Sequence, residues 1–97
     1  MKHIVTPGYE CWLDDEGRYH KEDGPAITHH NVHPISKFYY YHGELHCLTG
    51  PAICYCGFLQ WWYYGKKIVE CDVNSPPQEI ARLQKIFEKT IEMKAFW

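Results

Sequence analysis

Seven histidines and five cysteines in a chain of 97 residues are the side chains best able to do chemistry here. They could ligate a metal, relay a proton or supply a nucleophile, and spacing decides among these. The local clusters are Cys54-x-Cys56, His29-His30-x-x-His33 and His42-x-x-x-His46-Cys47. On a strand, Cys54 and Cys56 would share a face, yet paired zinc-binding cysteines are ordinarily separated by two to four residues. Small apolar cysteines in a sheet, with histidines in loops, fit the pattern better, so no metal is expected. Any cysteine could be paired with any histidine, which makes such a pairing uninformative. No nucleophile elbow or glycine-rich phosphate loop occurs, and adjacent Asp14, Asp15 and Glu16 read as turn chemistry rather than an acid–base pair. No catalytic set and no cofactor are expected.

Two histidines stand apart because their surroundings repeat. Gly17-Arg18-Tyr19-His20-Lys21-Glu22-Asp23-Gly24-Pro25-Ala26-Ile27 returns 26 residues later as Gly43-Glu44-Leu45-His46-Cys47-Leu48-Thr49-Gly50-Pro51-Ala52-Ile53. The shared frame is Gly-x-x-His-x-x-x-Gly-Pro-Ala-Ile. A degraded third copy begins 22 residues further on, at Gly65-Lys66-Lys67-Ile68, without the His or the Gly-Pro-Ala. His20 and His46 could form a ladder of imidazoles that meets a ligand. The reading preferred is structural: each bonds backbone groups near its own Gly-Pro turn, where proline leaves partners unpaired.

Aromatic residues make up 16% of the chain and precede each copy: Trp12, then Phe38 to Tyr41, then Trp61 to Tyr64. On strands, Tyr39, Tyr40, Tyr41, Trp61, Trp62 and Tyr63 must put rings on both sheet faces. One side can pack beneath a helix; the other is then a candidate interface. These six residues, with His20 and His46, form the candidate binding set.

The elements that would position them follow from the punctuation. Residues 1–8 read as a lead-in. Strands are expected at 9–13, 18–21, 26–30, 36–41, 44–48, 52–55, 58–63 and 66–69, separated by Gly-, Pro- and Asp-rich turns and by the loop 31–34. Such short strands make a meander of hairpins. After residue 74 the pattern changes: Ser75 reads as an N-cap, Pro76 as the first helical residue and Gln78 as the partner in a capping box. Ile80, Leu83, Phe87 and Ile91 then recur at helical spacing to residue 94, and the apolar Ala95-Phe96-Trp97 is expected to dock. A repeat of this size cannot bury its own apolar face, so hairpins stack and the helix caps them. The fold class expected is mainly β: one domain over residues 1–97, an elongated antiparallel meander of repeated β-hairpins (1–74) capped by one C-terminal α-helix (75–97).

A net charge of −2 and a pI near 6.4 provide no electrostatic drive toward a nucleic-acid backbone. No apolar run is long enough to span a bilayer, the first residues lack the apolar stretch of a signal peptide, and unpaired cysteines suit a reducing cytoplasm.

The aromatic–turn–Gly-x-x-His-x-x-Asp-Gly-Pro-Ala pattern resembles variant MORN-type repeats. It is closer to the His-x-x-Asp-Gly-Pro-Ala repeat of small proteins from bacteriophages and other large DNA viruses. His20-Lys21-Glu22-Asp23-Gly24-Pro25-Ala26 is the nearer match; the second copy lacks the acidic residues. The resemblance covers roughly residues 9–97. It implies a binding or scaffold module and, in a viral setting, interference with a host process. The function expected is therefore non-catalytic engagement of a host protein, such as an antiviral defence factor, through an aromatic sheet face or edge. The alternatives are a sponge for a nucleotide signal and, less favoured, an enzyme using His20 or His46. Open sheet edges would also permit a homodimer.

Overall fold

Turn-forming residues every six to eight positions leave antiparallel pairing of neighbouring segments as the short-range solution. The computed structural model describes residues 2–30, 36–55 and 57–94. Among these residues nine strands precede one helix: β1 (Lys2–Val5), β2 (Tyr9–Leu13), β3 (Ile27–His29), β4 (Ser36–Phe38), β5 (Tyr40–Tyr41), β6 (Glu44–Leu45), β7 (Ile53–Tyr55), β8 (Phe58–Tyr63), β9 (Lys66–Asp72) and α1 (Pro77–Lys94). Seven make one antiparallel sheet in the order β1-β2-β3-β4-β7-β8-β9, while β5 and β6 pair as a small ribbon inserted between β4 and β7. The molecule measures 36 × 33 × 17 Å, a plate two layers deep where α1 lies on it. The expected class, a mainly β hairpin meander with one C-terminal helix, is the one observed.

Details differ from the sequence reading for local reasons. The expected lead-in forms a full edge strand, with Lys2 opposite Leu13 and Val5 opposite Glu10. Thr6 makes that return, its side-chain oxygen accepting the Tyr9 N–H at 3.1 Å. Residues 18–21 contribute only an isolated bridge between Leu13 and Tyr19, and the strand expected at 44–48 is confined to β6. The Pro76 carbonyl accepts the first helical bond, from Ile80 N–H at 3.1 Å. Pro76 is thus the N-cap and Pro77 the first helical residue, one step later than expected, with Ser75 outside the helix. The expected docking of Ala95, Phe96 and Trp97, and the loop at 31–34, fall outside the described residues.

Strand parity divides the sheet into two faces. Ile4, Cys11, Ile27, Phe38, Ile53 and Gln60 follow one another in register on the reverse face. Cys54, Leu59 and Cys71 register on the other, the helix face, together with Trp61. There Trp61 and Phe87 are fully buried, with Leu59 beside them. Ile80, Leu83 and Ile91 of α1 close over Ile68, Val69 and Cys71 of β9. A bulge after Trp61 pairs it with Val69 but pairs Trp62 with Lys67, leaving Ile68 as the extra residue, so both Ile68 and Val69 reach the core.

Each Gly-Pro-Ala tail returns the chain to the sheet. Proline has no N–H to pair, and the ladder resumes at the next residue. Ala26 donates to the Phe38 carbonyl and accepts from Trp12 N–H; Ala52 donates to Gln60 and accepts from Tyr39 N–H. Both alanines are fully buried between flanking strands.

Candidate functional site

The repeat histidines act on the next copy, not on their own. Two-residue hairpin loops favour left-handed backbone at both positions, as here: His42 and Gly43 at φ 46° and 85°, Tyr64 and Gly65 at φ 42° and 81°. Glycine adopts that conformation freely, whereas His42 and Tyr64 carry a steric cost there. The preceding histidine supports each one. His20 Nδ1 accepts the His42 N–H at 3.0 Å, and the two rings stack with centroids 3.9 Å apart. His46 Nδ1 accepts the Tyr64 N–H at 3.1 Å, again with rings stacked at 3.9 Å. An accepting Nδ1 must be unprotonated, so in both rings the proton of the neutral form sits on Nε2. The expectation that each histidine serves its own Gly-Pro turn is corrected: the bond crosses to the following hairpin. The third copy carries Ile68 in place of the histidine, and among the described residues no further hairpin follows it.

At the turn of residues 14–18, Asp14 takes the histidine's place. Its Oδ1 accepts N–H groups of Glu16 and Arg18 at 2.9 and 3.0 Å. Its Oδ2 receives His42 Nδ1–H at 2.8 Å and Arg18 Nε–H at 2.9 Å. These bonds, from His42 foremost, hold the Asp14 carboxyl well below the usual carboxylate range although its burial opposes them.

Between the equivalent loops of the two complete copies lies an open groove of about 760 Å³ on the helix face. Tyr39, Tyr41 and His46 line its floor, residues 21–24 one wall, and Cys47, Leu48 and Thr49 the other. Tyr64 also borders it. Burial pushes the Tyr39 phenol up and the His46 imidazole down, Glu44 opposing the latter. Burial also raises the thiols of Cys54 and Cys11, which keeps them protonated and weakly nucleophilic. Among the described residues, no three His, Cys, Asp or Glu side chains stand together as a cation site. His33 and Cys56, from two of the sequence clusters, lie outside the described residues.

The structure divides the residues singled out in the sequence. Tyr39, Tyr41, Tyr63, His20 and His46 gather on the helix face, where His46 lies 5.3 Å from the Tyr63 ring and 6.1 Å from the Tyr41 ring. Trp61 is corrected from binding residue to core: it is 0% exposed beneath α1 and has no surface to offer a partner. His20, 4% exposed, is likewise internal. Tyr40 and Trp62 belong to the reverse side, where Tyr40 packs against Tyr19 and Trp62 Nε1–H donates to Gln60.

Sequence reasoning missed Trp12, Lys21, Leu48 and Tyr64 as members of this surface. Trp12, Tyr39 and Trp61 are repeat equivalents, each two residues before the pair that closes a turn (Asp14/Arg18, Tyr41/Glu44, Tyr63/Lys66). The first turn is one residue longer, so Trp12 and Tyr39 are offset by 27 positions rather than 26. Aligning the copies on their turn pairs instead of on glycine would have exposed the relation. No helix among the described residues is long and apolar enough to cross a membrane. No family model, curated protein or solved structure matches this chain.

Proposed function

We propose that this chain is a non-catalytic binding protein that takes a partner protein into the groove between its two complete repeats. The observation that carries this reading is the division of labour around the groove. His20 and Asp14 are committed to holding turns, and burial keeps Cys54 a thiol, while Tyr39, Tyr41 and half-exposed Leu48 line an open trough beside α1. Tyrosine-lined, partly apolar troughs suit protein recognition because each ring brings a large rigid area and a polar tip. The resemblance to viral hairpin-repeat proteins supports a host factor as the partner, one serving antiviral defence in particular.

Affinity capture from the natural host, with the partner then purified and titrated, tests this reading. Leu48→Glu, at a residue 50% exposed, should abolish the complex and leave the melting temperature unchanged. A complex indifferent to that charge overturns the groove as the binding site. The same trough, with Lys21 beside its tyrosines, is also where a nucleotide signal would stack. A rise in melting temperature with a linear or cyclic nucleotide, lost on Tyr41→Ala, would replace the protein partner with that ligand.

A further inference from the structure

The helix face has three equivalent aromatic positions, and α1 seats on one. At Trp61 the seat is complete: Gln84 Oε1 accepts the indole N–H at 2.6 Å, and Gln84 Nε2–H reaches back to the Leu48 carbonyl at 3.2 Å. At Trp12 the indole Nε1 is shut off from solvent and has no acceptor among the described residues. An enclosed donor without an acceptor is uncommon in folded proteins, because it forgoes water and gains nothing in exchange. The His3 ring stacks on the Trp12 ring at 3.7 Å and 4°, which leaves the other side to Lys21, whose Nζ lies 4.3 Å from the ring centroid. A cavity of about 430 Å³ opens there, lined by Trp12, Lys21, Glu22 and Asp23.

We propose that Trp12 anchors an amphipathic helix contributed by the partner protein, with a side-chain carbonyl or carboxylate oxygen accepting its indole N–H. The inference rests on the helix face being the binding face, and adds the class of occupant and its anchor. Three observations select a helix. The equivalent residue Trp61 already has one, bonded through Gln84. Trp12 and Trp61 stand four strands apart, roughly 19 Å, about two helix widths, so a helix seated on Trp12 clears α1 and leaves the groove between them. Glu22 and Asp23 beside the cavity complement a helix bearing lysine or arginine one turn from its acceptor. A second copy is not the occupant, because its α1 is already spent, with Phe87 fully buried in its own core. Lys21 is the movable cover and swings off the ring when the helix arrives.

The test titrates a synthetic peptide of residues 75–94 into the 15N-labelled full chain, up to about 1 mM. The peptide stands in for the partner's helix, and the readout is the indole N–H signals. The Trp12 signal should move downfield and saturate, with the Trp61 signal fixed. A peptide carrying Gln84→Leu should bind about tenfold more weakly, the worth of one lost hydrogen bond. Lys21→Ala, which uncovers the ring, should tighten binding severalfold. An unmoved Trp12 signal overturns the inference. Movement confined to the Tyr39 and Tyr41 amides overturns the helix anchor but leaves the groove standing as a binding face. A Trp12 signal that shifts with the chain's own concentration, alongside a dimer in sedimentation, makes the occupant a second copy and overturns the assignment to a partner.

Discussion

The first and third repeat copies place a tryptophan at the same point of the same sheet face, and the molecule treats them oppositely. Trp61 is sealed beneath α1, touches Phe87 and Leu59, and gives its N–H to Gln84. Trp12 is bracketed by His3 and Lys21, half-buried, its N–H without an acceptor among the described residues. A hairpin repeat cannot finish its own apolar face, so each copy needs a cover. The difference teaches that, among the described residues, this cover lies at the Trp61 end and not at the Trp12 end. The second layer stops near Leu48, and the groove begins there.

The sharpest way to break the comparison is to empty the sealed end. Phe87→Ala should cost about 3–5 kcal/mol, the range for truncating a buried aromatic, whereas Trp12→Ala should cost less than half as much. Denaturant midpoints with equal m-values would read this, and equal losses would mean that both ends are equally capped. Next in size is the splint between copies. His20→Ala takes the acceptor from the part-buried His42 N–H and removes a buried ring, and should cost about 1–3 kcal/mol. Ile68→His restores the repeat's histidine but takes an apolar side chain away from the Trp61–Phe87 core, with no hairpin N–H to serve in return, and should cost about 1 kcal/mol or more.

A smaller effect separates the two indoles. Trp61→Phe strips the Gln84 oxygen of its donor and should cost about 1–2 kcal/mol, while Trp12→Phe removes a donor that had no acceptor and should cost markedly less. Matched losses would show that the Trp12 N–H is satisfied after all and would weaken the helix anchor.

The subtlest contrast is in pH. Burial lowers the His46 imidazole, so the folded state prefers its neutral form. Its contribution is whole above the unfolded value of about 6.5 and declines as pH falls through the window below it. Protonation also removes the acceptor for Tyr64 N–H, so hydrogen-exchange protection there should fall first on acidification. Asp14 is depressed far below its unfolded value of about 3.9, so its contribution is whole above that value and is lost only as pH falls beneath it. Protection of the Glu16 amide should therefore outlast that of Tyr64, and Asp14→Ala, which removes the acceptor, should erase that advantage. Simultaneous loss would refute the separate roles given to His46 and Asp14.

Much of the fold was legible because its signals are local. Gly17, Gly43 and Gly65 mark turns by their conformational freedom, and the spacing of Ile80, Leu83, Phe87 and Ile91 marks a helix and its buried side. The edge strand β1 was not legible, since nothing local makes Lys2–Val5 extended except the β2 strand it pairs with. The candidate site was legible only in part. Tyr39, Tyr41 and His46 were singled out and do gather, but Trp61 belonged to the core and Trp12 was passed over.

The sequence by itself determined the meander, the repeat frame and the amphipathic helix, because turn chemistry and periodicity act over a few residues. Only the tertiary structure decided what the repeat's histidine is for and which tryptophan is covered. His20 and His42 are 22 positions apart and meet only once hairpins stack, and Trp61 meets Gln84 only once α1 folds back. Contacts of that range depend on how layers register, and a helix is wide enough to cover only about two strands, here β8 and β9.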